Sequence, residues 1–236
     1  MQAIIVAGGR GERLRPITDH IPKPMVKVRG KPLLEHTIEL FKANGIEEFI
    51  LALCYLPEVI VDYFGDGRKF GVKIEYTYES PDKPLGDAGA ITLARKIIRD
   101  TFLVTFADIL RELNIKDMVG EHRRRGAFAT LNVYRHYNDP KSMVIFDDQK
   151  RVSNFVERPG RSMLPEGYVW SNGSLFVLEP EIYDFIPTSQ ASGFGRDIFP
   201  KIIGEGRKVV AYPSNGYFLD VGNLGFLQEA ERTFRV

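Results

Sequence analysis

The chain has 236 residues, of which 44% are apolar and 27% charged, the balance of an ordinary globular protein with room for a sizeable core. A formal net charge of +1 excludes a global pull toward nucleic acid or an anionic membrane, so any cationic chemistry is local. A single cysteine, Cys54, rules out an intrachain disulfide framework and gives no support to a cysteine-based zinc site; within FILALC it reads as a core residue.

In chain order, AIIVA (3–7) reads as a buried strand and leads into a glycine-rich, cationic loop. A helix is expected from about Pro32 to Asn44, with Leu34, Ile38 and Phe41 on one face and Asn44-Gly45 as its stop. EFILALC (48–54) is the next strand, Pro57 to Phe64 a helix ended by Gly65, VKIEYTY (72–78) a strand, Gly89 to Ile98 a helix and TFLVTF (101–106) a strand. Continuous apolar strands alternating with helices imply a parallel sheet covered on both faces.

The pattern changes after a helix near Ile115–Arg125. FATLNVY (128–134), SMVIF (142–146), VSNFV (152–156) and YVWSNGSLFVL (168–178) crowd together and read as antiparallel additions. Helices return near Pro180–Ile186 and Asp197–Gly204, followed by VVAY (209–212), GYFLDV (216–221) and a helix from Leu224 to Phe234. The first apolar run is too short for a signal peptide, and no stretch approaches the ~20 apolar residues of a membrane span. The expected compartment is therefore the cytoplasm.

The loop after the first strand carries Gly8, Gly9 and Gly11, interleaved with Arg10, Arg13 and Arg15, and is followed by Lys23 between Pro22 and Pro24. A dinucleotide fingerprint needs a long helix to start within the loop, and Pro16, Pro22 and Pro24 forbid one. Leu14 stands at the third glycine position, and no Gly-Lys-Ser/Thr follows to make a Walker A loop. Bare backbone N–H groups, a forked guanidinium and a compact ammonium instead suit a triphosphate at the C-terminal end of the first strand.

GGRGERLRPIT (8–18) with IPKPM (21–25) resembles the signature of the sugar-phosphate nucleotidyltransferases, and the likeness recurs along almost the whole chain. PLGDAGAI (84–91) is similar to that family's base-binding turn, FADIL (106–110) to the strand end that presents a metal-binding aspartate, and FVERP (155–159) to its sugar- and phosphate-binding Glu-Lys-Pro element. SNG (171–173) resembles the strand that touches the sugar, and GYFLDVGN (216–223) the second metal-binding element.

The resemblance implies an α/β/α sandwich with a mostly parallel, Rossmann-like central sheet and a small antiparallel portion. It implies one domain over 1–236, with a nucleotide-binding half to about residue 110 and a sugar-binding half beyond. The chain ends at the helix after DVGN, so the C-terminal β-helix of larger members is not expected. The implied reaction joins a nucleoside triphosphate to a sugar 1-phosphate with release of pyrophosphate.

Arg13, Lys23 and Asp108 are the implied catalytic residues, and Asp108 with Asp220 would hold Mg²⁺. Ala7, Gly8, Gly9, Gly11, Glu79, Pro84, Gly86 and Asp87 would bind the nucleotide. Glu157, Arg158, Asn172 and Gly173 would bind the sugar phosphate, Gly173 by letting the sugar approach the backbone. Read singly, Asp108 fits a loop acid or helix cap, Arg158 a solvated arginine and Glu157 a surface acid. Asp220, in a mostly apolar strand, is the one whose burial asks for a partner or metal. Trp170 and Tyr217 fit a pocket or a core, and the four histidines show no ligand spacing.

Four departures from the family pattern bear on detail. Arg158 replaces a lysine, Asp87 a threonine, Ala107 a glycine and Phe106 an asparagine. PLGDAGA is nearer the guanylyltransferase turn than the thymidylyl one, which leans toward GTP with mannose 1-phosphate or a heptose 1-phosphate. UTP, dTTP or CTP with a sugar such as glucose 1-phosphate is the alternative. An idle nucleotide-sugar sensor and a Rossmann oxidoreductase are the readings from other classes. A homo-oligomer is compatible with the chain; no nucleic acid or membrane partner is expected.

Overall fold

The computed structural model describes residues 1–137, 140–188 and 190–235. The first half follows the expected alternation. Strands β1 (Gln2–Val6), β4 (Glu48–Leu53), β5 (Lys73–Tyr78) and β6 (Phe102–Phe106) are all parallel, with the short pair β2 (Lys27–Val28) and β3 (Lys31–Pro32) between the first two. Their apolar runs are continuous because both faces are covered. Ile4, Ile50 and Val104 point into one core layer and Ile5, Leu51 and Leu103 into the other.

Helix α1 (Leu33–Ala43) buries Leu34, Ile38 and Phe41 and stops at Asn44, with Gly45 at φ 81°. Helix α2 (Pro57–Phe64) takes proline in its first turn and ends at Gly65. The helix expected over 89–98 starts earlier and is shorter, as α3 (Gly86–Ala90) continued by a 3-10 turn over Ile91–Ala94. The reason is Gly86, whose φ of 75° sets the chain into the helix where another residue would be strained.

In the second half, β8 (Ala129–Tyr137), β11 (Tyr168–Leu178) and β12 (Val209–Ser214) enter the main sheet rather than forming a separate antiparallel portion. The order of the seven-stranded sheet is β12-β8-β11-β6-β1-β4-β5, and β11 is its one antiparallel member. Besides the antiparallel β2–β3 pair, the small antiparallel portion consists of two ribbons. One pairs β9 (Ser142–Phe146) with β10 (Val152–Glu157); the other pairs β7 (Ile109–Arg111) with β13 (Phe218–Asp220).

Helix α4 (Ile115–Arg125) is capped by the Asn114 side chain, which accepts from Asp117 N at 2.9 Å, and ends at Gly126. Residues Pro180–Asp184 form a 3-10 helix, and a π turn over Phe194–Ile198 runs into α5 (Phe199–Gly204). Helix α6 (Leu224–Thr233) is capped by Asn223, whose side chain accepts from Phe226 N at 2.9 Å.

A third apolar cluster positions the site. Leu14, Val26 and Val28 from the N-terminal loop pack with Leu110 of β7, Leu219 and Val221 around β13, and Ala230 of α6. Burying an aliphatic side chain of this size is worth roughly 1.5–3 kcal/mol, so the cluster fixes the cationic loop against the ribbon that carries Asp220 and starts next to Asp108. Among the described residues, no helix is long and apolar enough to cross a membrane.

Candidate active site

Two adjoining cavities lie at the C-terminal ends of β1 and β6, where ligands of open α/β sheets sit. The smaller, about 280 Å³, is lined by Ala7, Gly8, Gly9, Lys23, Glu79, Pro84, Gly86, Asp87 and Asp108. The larger, about 1020 Å³, is lined by Pro84, Gly86, Asp87, Asp108, Glu157, Arg158, Asn172 and Asp220. Residues from opposite ends of the chain thus meet in one connected space, with Asp87 and Asp108 on the shared rim.

The centre is a cluster of opposite charges. Asp108 follows β6, and its backbone carbonyl accepts from Val221 N at 3.0 Å, which brings β13 and Asp220 alongside. The Lys23 ammonium pairs with Asp108 Oδ2 and lies 3.6 Å from Asp220 Oδ1. Asp220 Oδ2 accepts from Lys141. Burial would raise the Asp220 carboxyl, but Lys23, Lys141 and Arg13 together hold it below the ordinary carboxylate value. Its Oδ1 is buried and has no hydrogen-bond partner among the described residues.

The three loop arginines divide their work. Arg15 pairs with Asp19 at 3.2 Å, and Arg10 lies over the Tyr55 ring at 5.8 Å. Arg13 alone turns to the aspartates: a methyl group at Gly222 would meet its guanidinium at 3.1 Å. Gly11, at φ 67°, lets the loop turn tightly and pack on Lys23, whose Cβ would lie 3.0 Å from any side-chain carbon there. Neither Gly11 nor Arg13 lines a cavity wall. Gly8 faces Cys54, and Gly9 stands open.

The turn at 84–89 is built onto a segment the sequence reading passed over. Leu85 O accepts from Ser192 N at 2.8 Å, and Ser192 O in turn accepts from Ala88 N at 3.0 Å. Gly86 must lack a side chain because Ser192 O occupies that space. Glu79 Oε2 accepts from Leu85 N at 3.1 Å, and Asp87 Oδ1 from Phe194 N at 2.8 Å. Burial raises the Asp87 carboxyl above its ordinary value. Asp87 is therefore a structural anchor for residues 193–197 as well as a wall of both cavities.

On the far wall, Glu157 ends β10 and Arg158 follows it, and Asn172 lies on β11 with its Oδ1 accepting from Ser174 N at 2.9 Å. Burial, with Asp87 adding to it, raises the Glu157 carboxyl. Gly173 is not an open approach for a ligand. The carboxamide of Asn132 fills the place of its missing side chain, so the glycine answers to strand packing. Trp170 packs against Phe146 and Tyr217 against Phe234, and neither lines either cavity. Cys54, expected in the core, is only partly buried and lines the smaller cavity; burial raises its thiol.

Three site residues escaped the sequence reading. His136 and Lys141 line the larger cavity. Arg111, buried on β7, donates to Gly173 O at 2.8 Å, Thr105 Oγ1 at 3.0 Å and Ser174 O at 3.2 Å. Burial lowers its pKa to about 9, against the pull of Asp108. None follows a motif; only an arginine in the strand after an acid hinted at a buried tether.

Asp108 and Asp220 fit a divalent cation. Asp220 Oδ1, which accepts no hydrogen bond from the described residues, lies beside a second carboxylate, and oxygen ligands of this kind suit Mg²⁺, which keeps several waters and binds substrate phosphates. Among the described residues, no group of three or more histidine, cysteine, aspartate or glutamate side chains is placed to hold a metal.

With loop, paired aspartates and twin cavities in place, comparison with known proteins agrees with the fold. The nucleotidyl transferase family model matches residues 2–235, and the chain belongs to that family. It is 33% identical over 95% of its length to a UTP–glucose-1-phosphate uridylyltransferase of Synechocystis sp.. It is 34% identical over 94% to a mannose-1-phosphate guanylyltransferase of Mycobacterium tuberculosis. The chain spans 61% of the length of both relatives. The crystal structure of HddC from Yersinia pseudotuberculosis complexed with GMP-PN superposes with a TM-score of 0.81 at 26% identity, covering 99% of each chain.

Proposed function

We propose that the protein is a sugar-1-phosphate nucleotidyltransferase. A phosphate oxygen of the sugar 1-phosphate attacks the α-phosphorus of a nucleoside triphosphate. The new P–O bond forms as the α–β bridge breaks, and pyrophosphate leaves with the electron pair. The observation that carries this reading is the Lys23 ammonium set between Asp108 and Asp220 where two cavities join.

The attacking phosphate is already ionised, so no general base is needed and catalysis is positioning plus charge neutralisation. The backbone of Gly8, Gly9 and Gly11 with Arg13 holds the β- and γ-phosphates. Lys23 sits between the α-phosphate and the incoming phosphate. Glu157 and Asn172 take sugar hydroxyls, and Arg158 neutralises the sugar phosphate. Asp108 and Asp220 would hold Mg²⁺, which supplies charge neutralisation at the α-phosphate oxygens when bound.

For the base, a guanine reading is favoured. Glu79 is oriented at the rim of the smaller cavity, and a carboxylate accepts well from the adjacent N1–H and N2–H₂ of guanine. The guanylyltransferase relative and the GMP-PN complex of the Yersinia protein support it. The uridylyltransferase relative, matched over as much of the chain, supports a second reading with UTP and glucose 1-phosphate. Pyrophosphate release with GTP, UTP, dTTP and CTP against mannose, glucose and heptose 1-phosphates separates the two. GTP is expected to be preferred; a preference for UTP, dTTP or CTP overturns the guanine reading and leaves the reaction class standing.

A further inference from the structure

The two oxygens of Asp220 have unequal surroundings. Oδ1 faces Lys23 at 3.6 Å without a hydrogen bond, whereas Oδ2 accepts from Lys141. The two lysines differ as well. The Lys23 side chain is 10% exposed and that of Lys141 64%. Lys141 immediately precedes β9. Its carbonyl accepts from Arg158 N at 2.9 Å, and its neighbour Ser142 pairs with Glu157 in the strand register. The end of the β9–β10 ribbon therefore holds Lys141 and Arg158 side by side on the wall of the larger cavity.

We propose that Lys141 is an exchangeable counter-ion of Asp220, which turns to the phosphate of the sugar 1-phosphate when a divalent cation takes the carboxylate. The inference rests on the reaction proposed above. An ammonium and a divalent cation compete for one carboxylate, and the ammonium that leaves is the one that regains water. Lys141 does so at little cost, whereas Lys23 would be stripped of its partners while buried. The backbone tether to Arg158 then keeps the released ammonium beside the guanidinium. A fork and a compact ammonium together match a phosphate dianion better than either alone. Charge points the same way: Arg13, Lys23 and Lys141 already surround the two aspartates, so a divalent cation leaves a positive excess that substrate phosphate neutralises.

The test uses the full chain and the variants Lys141→Met and Lys141→Arg, which alter an exposed side chain and leave the core intact. Mn²⁺ binding without substrates is read by electron paramagnetic resonance of the free ion. Binding of mannose 1-phosphate and glucose 1-phosphate is read by calorimetry at saturating Mn²⁺. Lys141→Met is expected to bind Mn²⁺ roughly threefold or more tightly than the parent, because a competing cation is gone. The same variant is expected to bind the sugar phosphate about tenfold more weakly, and Lys141→Arg to recover much of that loss. Unchanged or weaker Mn²⁺ binding by Lys141→Met, or undiminished sugar-phosphate binding, overturns the exchange; pyrophosphate release by the parent then shows that the reaction stands without it. A parent that neither binds Mn²⁺ nor releases pyrophosphate overturns both.

Discussion

Lys23 Nζ stands 3.6 Å from Asp220 Oδ1 while pairing with Asp108 on its other side. A loop that leaves the first strand and a ribbon near the last helix are thereby joined through one buried ammonium. Of the cationic side chains in this segment, Lys23 and Arg13 turn to the two carboxylates, whereas Arg15 pairs with Asp19 and Arg10 lies over Tyr55.

Asp108→Asn and Asp220→Asn are each expected to lower turnover by two or more orders of magnitude with the fold retained. Loss of charge stabilisation at a phosphoryl centre is worth several kcal/mol, and ~1.4 kcal/mol is tenfold in rate. Pyrophosphate release with circular dichroism as the fold control checks this; near-parental rates from both variants would remove the aspartates from the chemistry.

Lys23→Ala is expected to act mainly on turnover, by about 10²–10³, the usual cost of one preorganised donor. Arg13→Ala is expected to weaken triphosphate binding as well as slow the reaction. Steady-state kinetics with calorimetric triphosphate affinities distinguish the two. A Lys23→Ala enzyme that matches the parent would reduce Lys23 to a counter-ion for the aspartates.

Much of the fold was legible because burial and period coincide locally. Helices α1, α2 and α4 lie within a residue or so of their expected spans, each marked by a proline, cap or glycine of its own. The second half was harder, since β8 and β12 join the main sheet only through long-range pairing that alternation cannot reveal. The same divide runs through the site. Asp220 stood out as an acid among apolar neighbours, whereas Lys141, His136 and Arg111 owe their places to tertiary contacts. Gly173 carried a true signal with a different cause: its hydrogen leaves room for Asn132.

Arg111 ties the aspartate ribbon to the β11 bulge beside Asn172. Arg111→Met is expected to lower stability by roughly 1–3 kcal/mol, because Gly173 O loses its arginine donor while Ser174 O keeps the Thr105 hydroxyl at 3.0 Å, and to raise KM for the sugar phosphate more than it lowers kcat. Arg111→Lys should recover part of both. Denaturant unfolding together with the KM and kcat of each variant checks this; an unaltered unfolding midpoint would show that the tether carries no weight.

Glu157 gives a pH signature. Its carboxyl is raised above 4.5 by burial and by Asp87. The folded state therefore holds its proton more tightly than the unfolded chain. Stability is lost as pH rises from 4.5 through the folded value, and the cost is complete above it. Glu157→Gln should accordingly be more stable than the parent near neutrality and lose that advantage below pH 4.5, while binding the sugar phosphate more weakly. Thermal unfolding across pH, with sugar-phosphate affinity at neutral pH, reads both. A neutral-pH melting temperature lowered by the substitution would contradict the burial cost.

Nucleotidyl transfer itself is tested most directly by following both products at once. The full chain is incubated with Mg²⁺ and either GTP with mannose 1-phosphate or UTP with glucose 1-phosphate. Pyrophosphate and nucleotide sugar are then quantified at matched times, the latter by mass spectrometry. At least one pair is expected to give the two products in equal amounts, only when both substrates are present, and at a rate collapsed by Lys23→Ala. Pyrophosphate released without a sugar 1-phosphate, or no product from either pair or from the wider panel with folded protein, would contradict the assignment.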